Sequence, residues 1–230
     1  MKDIILSREE INNLELLKKD SYGTYGKIVK YKDEVLKIYH HKIGKLLLSH
    51  LKKNIKRESN IIIYPECFVY EDNINDNNIR GTYMKKVSGT HMLDLKNDIK
   101  DDKVILPFDE FLYYYNILLN ELEKEEVLIR DLKPEQIFFD KKFVLTDSDS
   151  FDDESDFSVK YYINLYECKN IYEANLFNIN TVMEKYLKEY FYKDIDASDN
   201  ELKDRNYIYS LLKQIKLKEN VKTFNNLSRK

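Results

Sequence analysis

The sequence predicts an α+β protein: a small antiparallel β-sheet with one main helix, followed by a mostly helical second part. Three observations carry that expectation. From Tyr22 to Tyr39, in "YGTYGKIVKYKDEVLKIY", β-branched and aromatic residues flank a charged Lys32-Asp33-Glu34 turn, as strands joined by turns do. From Phe108 to Leu122, apolar residues recur at helical spacing. The 230 residues are 43% hydrophobic, with 19 Tyr and 11 Phe, so the chain can bury a core.

The elements follow in chain order. Ser7 and Glu10 have capping-box spacing, and Ile11, Leu14 and Leu17 continue at helical spacing, which predicts a short helix ending near Lys19. The glycine-containing segment 22–39 then reads as strand, turn, strand, turn, strand. Residues 42–59 read as the main helix, with Ile43, Leu46, Leu47 and Leu51 on one face and Ile55 and Glu58 in its last turns. Two more strands are expected at 66–72 and 79–87, around an Asn- and Asp-rich loop. After Gly89 the character turns helical. A stripe of Phe108, Phe111, Leu112, Tyr115, Leu118, Leu119 and Leu122 follows Pro107, tolerated in a first turn because its missing N–H has no helical partner there. Residues 130–135 read as a loop, and "IFF" and "FVLT" as a hairpin turning at 140–142. Residues 173–191 and 205–217 are again helical.

The charge balance excludes some partners. With 38 Lys and Arg against 41 Asp and Glu, the formal charge of −3 creates no global positive field for nucleic acid or acidic lipid. Cys67 and Cys168 stand outside any CxxC or His-Cys cluster, which argues against a disulfide framework or zinc site and for a reducing, cytoplasmic setting. The apolar run in "MKDIILSREEI" is too short for a signal peptide, and no stretch has the length of a membrane span, so no membrane partner is expected.

Several residues carry chemistry only in combination. Gly23 and Gly26 frame a short loop whose backbone N–H groups could approach an anion, yet GxxG alone is more often a plain turn. Lys37 lies in a strand, on the face shared by Val35 and Tyr39; Glu58 lies near a helix end. In "LIRDLKPEQIFFDKKFVLTDSDSF", Asp131 and Lys133 precede the hairpin and Asp147 follows it, and each acid alone is ordinary turn chemistry. Their order is more specific: glycine loop, strand Lys, helix Glu, Asp-x-Lys, hairpin, Asp is the parts order of a protein kinase.

From about residue 21 to about residue 217 the chain resembles a small protein kinase of the bacterial Ser/Thr type. The resemblance implies a bilobal kinase-like fold, with 1–87 as the sheet lobe and 88–230 as a reduced helical lobe. It further implies ATP, with Mg2+ or Mn2+, and a protein substrate. Asp131 matches the catalytic Asp, Lys133 the lysine near the transferred phosphate, and Gln136 the metal-binding Asn. Asp147 matches the metal-binding Asp of Asp-Phe-Gly, and Lys37 and Glu58 the strand–helix ion pair. Ser21, Gly23, Gly26 and Ile28 fall at the nucleotide-covering loop, and Met84 at the gatekeeper beside a hinge of Lys85 to Val87.

The pattern also departs from the family. Ser21 replaces the first glycine, Ile129 the usual His, and Gln136 is one methylene longer than Asn, which shifts its amide by about 1.5 Å. Ser148 and Asp149 replace Phe and Gly, and Asp149 adds a second carboxylate to supplement or replace Gln136 at the metal. No Ala-Pro-Glu is recognisable, and Asn175 stands for the Asp of the next helix. Two alternatives stay open: a nucleotide-binding pseudokinase, and a kinase-like small-molecule phosphotransferase. Lys133 speaks against the second.

Overall fold

The computed structural model describes residues 3–18, 23, 25–153 and 157–228; the expectation at Ser21 lies outside them. The chain is α+β and divides into two compact units, Met1–Val87 and Ser88–Lys230.

The first unit comprises β1 (Ile4–Leu6), α1 (Arg8–Asn13), β2 (Gly26–Tyr31), β3 (Glu34–Tyr39), α2 (Lys45–Asn54), β4 (Cys67–Glu71) and β5 (Ile79–Met84). Its sheet runs β1-β4-β5-β3-β2 and is mixed rather than antiparallel, because β1 pairs parallel with β4. A three-residue strand at the chain start has too few residues to show a period, and it is held partly by the Asp3 carboxylate accepting from Phe68 N–H at 3.1 Å.

The Ser7–Glu10 capping box forms as expected, but α1 stops at Asn13. Its intended continuation is extended: Leu17 N–H donates to Ile28 O at 3.0 Å and Lys30 N–H to Glu15 O at 2.9 Å. Pairing along the β2 edge thus overrides the helical spacing of Leu14 and Leu17. Three strands were expected in 22–39; its described residues contain one hairpin, β2–β3, turned at Lys32 with φ 55°.

The sheet is covered on both faces. Leu6, Ile11, Val29, Leu36, Ile38 and Val69 form one cluster. Tyr39, Leu51, Phe68, Tyr70 and Ile79 form the other, against which Leu47 and Leu48 of α2 pack. Leu46, expected on that face, is 74% exposed, and Leu48 takes its place.

The second unit comprises β6 (Thr90–His91), α3 (Met92–Lys100), α4 (Phe108–Leu122), β7 (Val127–Leu128), β8 (Ile137–Phe139), β9 (Phe143–Leu145), β10 (Asp152–Asp153), α5 (Phe157–Leu165), α6 (Ile171–Tyr190), α7 (Asp199–Leu202), α8 (Tyr207–Glu219) and α9 (Phe224–Ser228). The expected hairpin is β8–β9, with Ile137 opposite Leu145 and Lys141 at its turn, and β6 adds a third strand. β7 pairs antiparallel with β10. Phe111 of α4 packs edge-on against Phe143 and Phe224, so the predicted stripe supports the hairpin directly. Pro107 is the N-cap, just ahead of the helix.

Asn side chains tie the irregular segments to these helices. Asn225 Nδ2 donates to Ile99 O and Val104 O, each at 2.8 Å, while its Oδ1 accepts from Leu106 N–H at 3.1 Å. Asn180 Nδ2 donates to Leu202 O at 2.8 Å and its Oδ1 accepts from Tyr115 at 2.6 Å. Such paired buried amides keep loop backbone groups satisfied. Among the described residues no helix is long and apolar enough to cross a membrane.

Candidate functional site

In the second unit, Asp131 and Lys133 lie between β7 and β8, exposed on either side of the buried Leu132. Leu132 anchors the segment, so its neighbours face solvent. Asp131 has φ 51°, a left-handed conformation that Asp tolerates better than most residues. Pro134 then opens a 3-10 turn over Pro134–Gln136, its ring presetting φ. Asp147, directly after β9 and Thr146, is also left-handed, with φ 64° and ψ 41°. Non-glycine residues in this region cost about 1–3 kcal/mol and persist only when their surroundings hold them.

Gln136 supplies part of that hold. Its side-chain Nε2 donates to Asp147 Oδ2 at 2.7 Å and its Oε1 accepts from Lys133 N–H at 2.9 Å. Its main-chain O accepts from Thr146 N–H at 2.9 Å and from the Thr146 hydroxyl at 3.2 Å. The segment carrying Asp131 and Lys133 is therefore bonded to the turn carrying Asp147. Ser148 is 1% exposed, while Asp147 and Asp149 on either side of it are half-exposed.

The approach to Asp131 is fixed by α6 and α5. Asn175 is fully buried; its Oδ1 accepts from Ile129 N–H at 2.8 Å and its Nδ2 donates to Val127 O at 2.9 Å. Asn178 Nδ2 donates to Ile129 O at 2.7 Å, and its Oδ1 accepts from the Tyr162 hydroxyl. Burial pushes the Tyr162 phenol up to about 12, with the Asp131 charge a minor contributor. Arg130 Nη2 lies 2.5 Å from Asp152 Oδ2, which also accepts from Ser158 Oγ at 2.8 Å. Asn178, Tyr162 and Asp152 escaped the sequence reading. Asp152 sits in an acidic run, and only the β7–β10 register selects it for Arg130.

In the first unit, Gly23 N–H donates to Gly26 O at 2.8 Å, and Gly23 O lies 2.9 Å from His40 Nε2. Gly26 is needed for close approach, since a Cβ there would meet Ile38 O at 2.5 Å. Ile28 and Thr82 flank Lys37 in register, on the sheet face that also carries Tyr39. Lys37 is half-buried and its Nζ stands 5.8 Å from the Tyr39 ring centroid. Met84 pairs with Val35 at the strand end, Lys85 reaches Glu66 at 3.4 Å, and Val87 is half-buried in the irregular end of the unit.

Glu58 differs from expectation. It is exposed in the irregular segment beyond Asn54, where α2 ends, rather than in the last turn of the helix. Ile55, Lys56 and Arg57 close a turn through bonds to Leu51, Lys53 and Asn54, and the chain leaves the helix there.

No protein-family model matches the chain, and a search of curated proteins found no match.

Proposed function

We propose that the chain is an ATP- and Mg2+-dependent kinase that transfers the γ-phosphate to a Ser or Thr hydroxyl of a protein. The observation that supports this most is the Gln136 amide, which joins the segment of Asp131 and Lys133 to the Asp147 turn across the β8–β9 hairpin. Phosphoryl transfer asks mainly for charges held in position. Asp131, exposed and backed by the Asn175 and Asn178 bonds, would orient the attacking hydroxyl and accept its proton as the new P–O bond forms and the bond to ADP breaks. Lys133 would hold negative charge on the transferred group.

The donor set fits a hard divalent cation at Asp147 and Asp149, two half-exposed carboxylates in one turn. When bound, the ion neutralises phosphate oxygens. In the first unit, Lys37 is assigned to phosphate and Gly23, Gly26, Ile28, Met84, Lys85 and Val87 to the nucleotide, on the resemblance alone.

A second reading, a nucleotide-binding pseudokinase, is favoured by Gln136, which stands in place of the metal-binding Asn and whose amide is engaged by Lys133 N–H and Asp147. A two-part measurement separates the two. For the kinase, ATP with Mg2+ raises the melting temperature and labelled phosphate appears on protein; for the pseudokinase, only the first occurs. Neither effect would contradict both.

A further inference from the structure

The Gln136 amide has two chemically distinct ends, and each meets a partner of fixed polarity. Lys133 N–H can only donate, so it faces Oε1; Asp147 Oδ2 accepts, so it faces Nε2. Turning the amide by half a rotation would set N–H against N–H and oxygen against carboxylate, losing both bonds and adding two repulsions. The partners therefore assign the orientation chemically.

This bears on metal binding. The amide oxygen is already engaged by Lys133 N–H and its Nε2 by Asp147, whereas a Mg2+ ligand must present oxygen at about 2.0–2.1 Å. For Gln136 to ligate, it would have to abandon both bonds. We infer that Gln136 is a positioning residue, which holds the Asp147 carboxylate to the Lys133 backbone, and that the site takes a single divalent cation on the Asp147 side. The single-ion claim rests on the kinase reading above. The bridge itself does not.

Mn2+ bound to the purified chain, counted by electron paramagnetic resonance in the presence of the β,γ-imido analogue of ATP, tests the inference. The expected result is one Mn2+ per chain in wild type and one in Gln136→Met, with the variant binding about tenfold to a hundredfold more weakly because the carboxylate is no longer oriented. Two ions in wild type falling to one in Gln136→Met would make Gln136 a ligand and overturn the inference. One ion in both at equal affinity would overturn the positioning role. No Mn2+ at all would overturn the kinase reading and the single-ion claim together.

A metal-free readout covers poor folding of the variant. In wild type, nuclear magnetic resonance is expected to show a Gln136 side-chain amide proton shifted downfield and protected from exchange, and to lose both features in Asp147→Ala. An unprotected amide in wild type would remove the bridge, whatever the metal count.

Discussion

Asn175 meets Ile129 N–H and Val127 O from a fully buried position, so its removal strands a donor and an acceptor away from water. Each stranded group costs about 1–3 kcal/mol. Asn175→Leu is expected to lower the unfolding free energy by about 2 kcal/mol or more in a urea titration; a loss below about 0.5 kcal/mol would contradict the assigned bonds. Cys67 illustrates burial acting on chemistry. Desolvation pushes its thiol up to about 11 from an ordinary 9.0, and the Asp3 charge adds to the shift. Because the thiolate is the nucleophile, iodoacetamide at pH 8 is expected to label Cys67 about a hundredfold more slowly in the native protein than in urea. Equal rates would show the thiol accessible. At this scale Asp131, Lys133, Gln136 and Asp147 were legible because they share one short stretch. Asp152 was not, because nothing in a run of acids marks the one that a distant strand register will place beside Arg130.

Elements with a clear period were the legible ones. The β8–β9 hairpin and the α4 stripe formed where alternation and helical spacing placed them, and β2–β3 formed about the expected charged turn, though as one hairpin where three strands were expected. β1, β7 and β10, with two or three residues each, carry no period, and the tail of α1 was lost to edge pairing with β2. The sheet also depends on backbone approach that no period encodes. A Cβ on Gly81 would meet Lys37 O at 2.2 Å, so Gly81→Ala must push β5 from β3 and is expected to cost about 1–3 kcal/mol in thermal unfolding. Gly23→Ala is the control. Its Cβ would stand 3.5 Å from Gly26 O, an ordinary contact, and its expected cost is within about 0.5 kcal/mol. A tolerated Gly81→Ala would mean that β3 and β5 are not so closely paired.

Across the whole chain, the α+β class followed from the order of its patterns, with strand signals concentrated before residue 87 and helical ones after it. Mixed pairing in the first sheet was illegible because parallel β1 contributes only three residues. The kinase reading draws on both units but leans on the second, where Gln136 bonds the segment of Asp131 to the turn of Asp147 and leaves Asp131 exposed. The most direct test is phosphate transfer from radiolabelled ATP with Mg2+ or Mn2+, comparing wild type with Asp131→Asn at matched unfolding midpoints. Transfer by wild type that falls at least about a hundredfold in Asp131→Asn is the predicted result. Transfer that survives the substitution undiminished would contradict the role given to Asp131, and no transfer by wild type would contradict the proposed function.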